Sequence, residues 1–232
     1  MTDMLKMTDE NMAEAEATRL FKAYLAELEQ HRALLAKRHI KGDAYVESLF
    51  EKVTGFIGAS ATAAQEQAEA LAANTERAAA VDEGRALIKQ AREKVSLIID
   101  QSDDTEAERT RAETLRYDFG LRGPRWRIDL NAHIDELLEL VHVGVHKHKA
   151  LFEETGEDAA FFAAPQAAKA KIEQATRSHQ KERNEGILAT RWANTLRDEA
   201  ESLMDMALRI VNTHASGTDL HANLLNIQRE RG

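Results

Sequence analysis

Gly120-Leu121-Arg122-Gly123-Pro124-Arg125-Trp126-Arg127 breaks helix propensity harder than any other eight residues of this chain. Its two glycines raise the entropic cost of a helix, and Pro124 removes a backbone donor and pushes Gly123 out of the helical region. The chain is expected to reverse here. On either side lie long segments with helical periodicity and few other breakers. The simplest organisation is one domain of two helical halves, about 9–119 and 125–230, joined by the turn at 120–127.

Composition agrees with that reading. The 232 residues are 43% hydrophobic and 31% charged, with two prolines, eleven glycines and 5% aromatics, the mixture that long helices use. The length suffices to bury a core without staples. There is no cysteine, which removes disulfides, thiolate nucleophiles and Cys-ligated zinc. No apolar run approaches the roughly 20 residues that span a bilayer. Met1 to Glu10 lacks the basic-then-apolar order of a signal peptide, so a cytoplasmic protein without a transmembrane segment is expected. A formal charge of -9 argues against nucleic-acid binding by the surface as a whole, while leaving local basic patches open.

Taken in order, Leu20, Tyr24, Leu28, His31 and Leu35 mark an amphipathic helix over about 9–38, ended by Lys41-Gly42-Asp43. A short helix over 44–57 stops at Gly55 and Gly58, and Thr62 with Gln65 reads as a capping box opening a helix over 62–101. Leu71, Val81, Ile88 and Val95 lie on its apolar stripe. A helix over 105–118 precedes the turn. The strongest pattern follows it, Leu130, Ile134, Leu137, Val141, His148 and Phe152 over 125–154. Pro165 kinks or starts a last long helix over 166–214, polar and basic at first, then apolar through Leu188, Trp192, Leu196, Ala200, Leu203, Ala207 and Ile210. A tail helix spans 218–230. The fold expected is all-α, an elongated antiparallel helical bundle built on four long helices plus shorter ones, with heptad-like spacing. An internal duplication is suggested by Asp82-Glu83-Gly84 and Asn184-Glu185-Gly186, about a hundred residues apart.

Three groups of side chains point to chemistry. Asp135, Glu139, His142 and His146 share one helical stripe. Glu139 with His142 is the Glu-x-x-His pair that carboxylate-bridged di-iron bundles use, and His142 with His146 has the spacing of helical zinc ligands. A di-iron site needs a second such pair, which no other helix supplies, so the plainer reading is a solvated polar face. His31 and His148 fall on apolar stripes, where a lone histidine is usually a satisfied border residue. Arg109, Arg111 and Arg116 lead into Arg122, Arg125 and Arg127, with Trp126 among them. Guanidinium groups beside an indole suit an anion or a partner, although interleaved acids suit an ordinary bundle end. Lys169, Lys171, Arg177, Lys181 and Arg183 form a basic face, either projecting or docking an acidic partner. Walker, Gly-x-Gly-x-x-Gly, Gly-x-Ser-x-Gly and His-Glu-x-x-His motifs are absent.

The function expected is therefore a non-enzymatic helical scaffold or protein-interaction protein that binds a partner or itself and needs no cofactor. The alternatives are a metal-binding bundle using Glu139, His142 and His146, and anion or nucleic-acid binding through Arg122, Arg125, Trp126 and Arg127.

Overall fold

The structure, a computed structural model, describes residues 13–121 and 133–229. These residues form eight helices and no strand: α1 (Glu14–Glu29), α2 (Arg32–Arg38), α3 (Asp43–Asp100), α4 (Glu106–Asp118), α5 (Ile134–Lys147), α6 (Lys149–Glu154), α7 (Ala159–His214) and α8 (Asp219–Arg229). The all-α class is as expected. Among the described residues no helix is long and apolar enough to cross a membrane.

Packing divides the chain into two compact units. One holds residues up to 69 and from 182 onward, and the other residues 70–181. Each half of the sequence contributes to both, because α3 and α7 each supply one end to each unit.

In the first unit, Leu20, Phe21, Tyr24 and Leu28 of α1 meet Val46, Leu49, Val53 and Phe56 of α3, with Ala200, Met204, Ala207 and Val211 of α7 closing the core. Tyr45 is buried and donates its hydroxyl to the Leu203 carbonyl at 2.7 Å. Burial disfavours the phenolate and pushes its pKa up. Lys52 pairs with Glu199 at 2.7 Å and Gln67 donates to Thr190 at 3.2 Å, so α3 and α7 run antiparallel here.

The second unit is built on Ile88, Ala91 and Val95 of α3, Leu115 and Phe119 at the end of α4, Leu137, Leu138, Val141 and Val145 of α5, and Phe162 and Ile172 of α7. Arg92 on α3 donates to the carbonyls of Phe119 at 3.1 Å and Gly120 at 3.3 Å, a cation on the unsatisfied C-terminal end of α4.

Several boundaries differ from the sequence reading. The helix expected over 9–38 breaks at His31, and that expected over 125–154 breaks at His148, although no glycine or proline marks either place. Each break lies between two fully buried residues seven apart, Leu28 and Leu35 in one case, Val145 and Phe152 in the other, which an unbroken helix would also place on one face. The helices expected over 44–57 and 62–101 are one. Gly55 and Gly58 cost it about 1 kcal/mol each, less than burial of Val53, Phe56, Ala59 and Ala63 returns. Thr62 does not cap but donates to the Gly58 carbonyl at 3.2 Å, and Gln65 reaches Glu69 at 2.8 Å. Helix α7 begins at Ala159, with the Asp158 carboxylate accepting from the N–H groups of Ala160 and Phe161, and it continues through Pro165.

The buried pattern repeats at a spacing other than the one expected. Leu20, Tyr24, Leu28, His31 and Leu35 correspond in burial and breakpoint to Leu137, Val141, Val145, His148 and Phe152, 117 residues later. Val46, Phe56, Ile88, Ala91 and Val95 correspond to Phe162, Ile172, Met204, Ala207 and Val211, 116 later. Gly84 and Gly186 do not correspond: Gly84 packs beneath Ile172 and Ile134, while Gly186 faces the Glu66 backbone.

A Cβ built on Gly144 would lie 2.8 Å from the buried Phe119 ring, itself held against Phe152. Gly144→Ala gains about 1 kcal/mol of helix propensity but overpacks a rigid aromatic by roughly 1–3 kcal/mol. The expected result is a net loss of about 1 kcal/mol, read as a lower urea midpoint at constant m-value. An unchanged or higher midpoint would show that the ring yields.

Candidate functional site

The histidine stripe forms on α5 but does not gather. Lys169 of α7 donates to Glu139 at 2.8 Å, and this hydrogen bond, reinforced by its charge, holds the Glu139 carboxyl below the ordinary glutamate range. The His142 and His146 rings lie 4.3 Å apart at 57°, and the His146 Nδ1 contacts the His142 carbonyl at 2.9 Å. The buried His142 Nδ1 has no hydrogen-bond partner. Lys169 thus engages the Oε2 oxygen of the one carboxylate among these three residues. The one set of three ligand atoms within 4.8 Å of one another among the described residues is elsewhere, at Glu66, Glu69 and Glu182.

The basic groups are occupied locally. Arg109, Arg111 and Arg116 pair with Asp104, Glu108 and Glu113 at 2.7, 3.3 and 3.0 Å. Lys171 reaches Glu83 of α3 at 2.5 Å, and Arg177 reaches Glu173 at 3.6 Å. Lys169 and Lys171 of the expected basic face are thus tied to α5 and α3 of their own unit. Arg122, Arg125, Trp126 and Arg127 lie outside the described residues.

Of the two stripe histidines, His148 has the clearer task. At the break between α5 and α6 its Nε2 meets Asp118 at 2.8 Å, and Lys147 reaches the same carboxylate oxygen at 2.7 Å, tying the end of α4 to α5. Burial raises the Asp118 pKa more than any other single cause, but the hydrogen bonds from Lys147 and His148 and their charges together leave it below its ordinary 3.8.

Two features escaped the sequence reading. The apolar face of α7 rotates before its N-terminal end. Ala193, Leu196 and Ala200 are buried, while Leu188 is 63% and Trp192 60% exposed, with Ile187 exposed beside them. These were expected core positions, and the drift of a 3.6-residue period away from a strict four-residue spacing carries them off the core. In the second unit, Leu71 of α3 is likewise exposed rather than on the apolar face.

The second is a polar cleft of about 520 Å³ in the second unit. Arg77, Asp82 and Arg85 of α3 form one wall, His133, Asp135 and Glu136 at the start of α5 another, and Ile172 with Thr176 of α7 the floor. Asp82 accepts from Arg85 Nη1 at 2.6 Å, and His133 lies 3.6 Å from Glu136. The Arg85 Nε is buried and has no hydrogen-bond partner. The spacing of Arg77, Val81 and Arg85 on α3 was legible; its juxtaposition with residues 48 or more positions away was not.

The sign of the Asp118 effect is fixed by its lowered pKa. Its contribution is fully present above the unfolded value near 4 and is lost as pH falls through the lower folded value. The stability advantage of the unaltered chain over Asp118→Asn should shrink as pH falls below about 5 through the lowered carboxyl value, as followed by urea denaturation. A gap that widens below about pH 4 would reverse the assignment.

No family model, curated protein or solved structure matches the chain.

Proposed function

We propose that the chain is a non-enzymatic helical interaction protein of the cytoplasm that self-associates through the α7 face bearing Ile187, Leu188 and Trp192. The observation that carries this reading is the exposure of Leu188 and Trp192, 63% and 60%, one turn apart on a helix that buries Ala193 and Leu196 just beyond them. Leaving an indole and a leucine side by side in water forgoes roughly 1.5–3 kcal/mol for each side chain that a partner would cover. Large aromatic side chains of this kind anchor interfaces.

A second copy suits the face because the pair is self-complementary. About a two-fold axis placed between residues 188 and 192, each Trp192 lies on the other copy's Leu188, and one patch serves both sides. Nothing in this reading calls for a cofactor.

Light scattering coupled to size exclusion over a concentration series tests it. The unaltered chain should move from monomer toward dimer mass as concentration rises, and Leu188→Glu combined with Trp192→Glu should stay monomeric with unchanged helical circular dichroism. A wild-type chain that remains monomeric at its solubility limit would sink the proposal.

A further inference from the structure

The turn between α2 and α3 in the first unit holds an apolar side chain out in water on a braced backbone. Ile40 is 97% exposed, the largest exposure of any large hydrophobic side chain among the described residues. The His39 N–H donates to the Leu35 carbonyl at 3.0 Å, the Gly42 N–H donates to the His39 carbonyl at 2.9 Å, and Gly42 closes the turn with a φ of 55°. The His39 ring stacks on Tyr45 with centroids 3.9 Å apart and accepts from the Lys41 N–H at 3.1 Å, while the Tyr45 hydroxyl donates to the Leu203 carbonyl. Ile40 and Lys41 are thus the two central residues of an ordered turn, and at that exposure the isoleucine covers no part of the core.

Cations surround it. From Gln30 to Gly42 the chain has Arg32, Lys37, Arg38 and Lys41 and no acid. Arg32 is paired with Glu29 at 2.9 Å. Lys37, Arg38 and Lys41 are exposed and, among the described residues, form no ion pair. A helix C-terminus favours Lys37 and Arg38 at the end of α2, but it gives no reason for Ile40 and Lys41 beyond it. The corresponding connector in the second unit, Glu153-Glu154-Thr155-Gly156-Glu157-Asp158 leading into α7, carries four acids and no base. Packing therefore does not require the basic and apolar composition of the first unit's turn.

We infer that this turn docks on an anionic phospholipid surface, with Ile40 entering the boundary between headgroups and acyl chains and Lys37, Arg38 and Lys41 meeting the lipid anions. An apolar side chain flanked by cations on a protruding turn matches a surface that is negative outside and apolar just beneath. A rigid acidic partner would need a pocket cut for Ile40, and an isoleucine offers a nucleic-acid base no flat face on which to stack. The chain as a whole, with a formal charge of -9, is repelled by such a membrane, so contact depends on this local basic turn. One turn of this kind gives reversible, salt-sensitive binding. It shares no residue with the α7 face and stands apart from self-association.

The test is flotation of the full chain with lipid vesicles. Vesicles of phosphatidylcholine mixed with phosphatidylserine should carry the protein at low salt and release it as salt rises, and vesicles of phosphatidylcholine alone should not. Lys37→Ser, Arg38→Ser and Lys41→Ser combined should weaken partitioning by about tenfold or more, and Ile40→Ser alone by about fivefold. Both variants should keep the helical circular dichroism, since all four side chains are exposed. The chain has no cysteine, so Ile40→Cys takes a single environment-sensitive dye. Its emission should shift to the blue on the anionic vesicles but not with glycerophosphoserine or inorganic phosphate, which separates a lipid surface from a free headgroup or anion. Absence of flotation with the anionic vesicles, equal flotation with the neutral ones, or unchanged partitioning in either serine variant would overturn the proposal. Retention on immobilised DNA in place of vesicle binding would assign the cations to a nucleic acid and overturn it as well.

Discussion

Close approach of α3 and α7 is the constraint on which the other packing depends. In the first unit Gly186 brings α7 to within about 3.6 Å of the Glu66 carbonyl, measured from where its Cβ would stand. In the second, Gly84 lets Ile172 of α7 and Ile134 and Leu138 of α5 close over the α3 backbone. A glycine inside a helix costs about 1 kcal/mol; at Gly84 this is returned as contact that a methyl would crowd, whereas a Cβ at Gly186 would meet the Glu66 backbone at ordinary contact distance. The shorter helices then have a fixed surface to cover. Phe21 of α1 meets Phe56 of α3 with ring centroids 5.1 Å apart, and Phe119 at the end of α4 packs on Phe152 of α6 at 5.8 Å.

Close helix contact also limits where polar chemistry can reside. The buried polar residues of the first unit, Ser60 and His221, are each paired, Ser60 with Thr18 and His221 with Asn212 at 3.2 Å. The second unit has more charge near its core, and most of it is matched between helices, as in Lys169 with Glu139, Lys171 with Glu83, and Lys94 with Glu157. Such partly exposed pairs contribute little to stability individually. Their consequence here is to remove cations and carboxylates from the pool available to a ligand. Lys169 engages one oxygen of the histidine stripe's carboxylate in this way.

Fold class was legible because it depends on composition and on 3.6-residue periodicity, which survive without knowledge of tertiary contacts. Leu20, Tyr24, Leu28, Leu137 and Val141 are buried as their spacing implies. Helix ends were less legible where glycine was the only cue. Gly55 and Gly58 sit inside α3, whereas Gly42 and Gly156, with φ of 55° and 89°, do turn the chain ahead of α3 and α7. The difference is context: the latter two take the left-handed conformation that only glycine adopts cheaply, and the sequence does not display φ. The candidate sites were least legible. Glu139 with His142 is a local spacing, but the Lys169 that engages Glu139 is thirty residues away, and the cleft joins three helices whose juxtaposition no spacing records.

The repeated register adds a reason to look for function away from the repeated positions. Where the two units must satisfy the same packing, residues match in kind: Leu28 with Val145, Ile88 with Met204, Val95 with Val211. On the outward faces of the same helices the correspondence in chemistry disappears. Lys22, Leu25 and Glu29 of α1 stand where α5 has Glu139, His142 and His146. Thr18, Ser60 and Ala193 stand where the cleft has Asp135, Thr176 and Arg77. A core explains the first set completely, since volume and hydrophobicity are all it requires. It does not explain why one unit closes a pocket with two hydroxyls while the other opens the equivalent place and lines it with opposed charges.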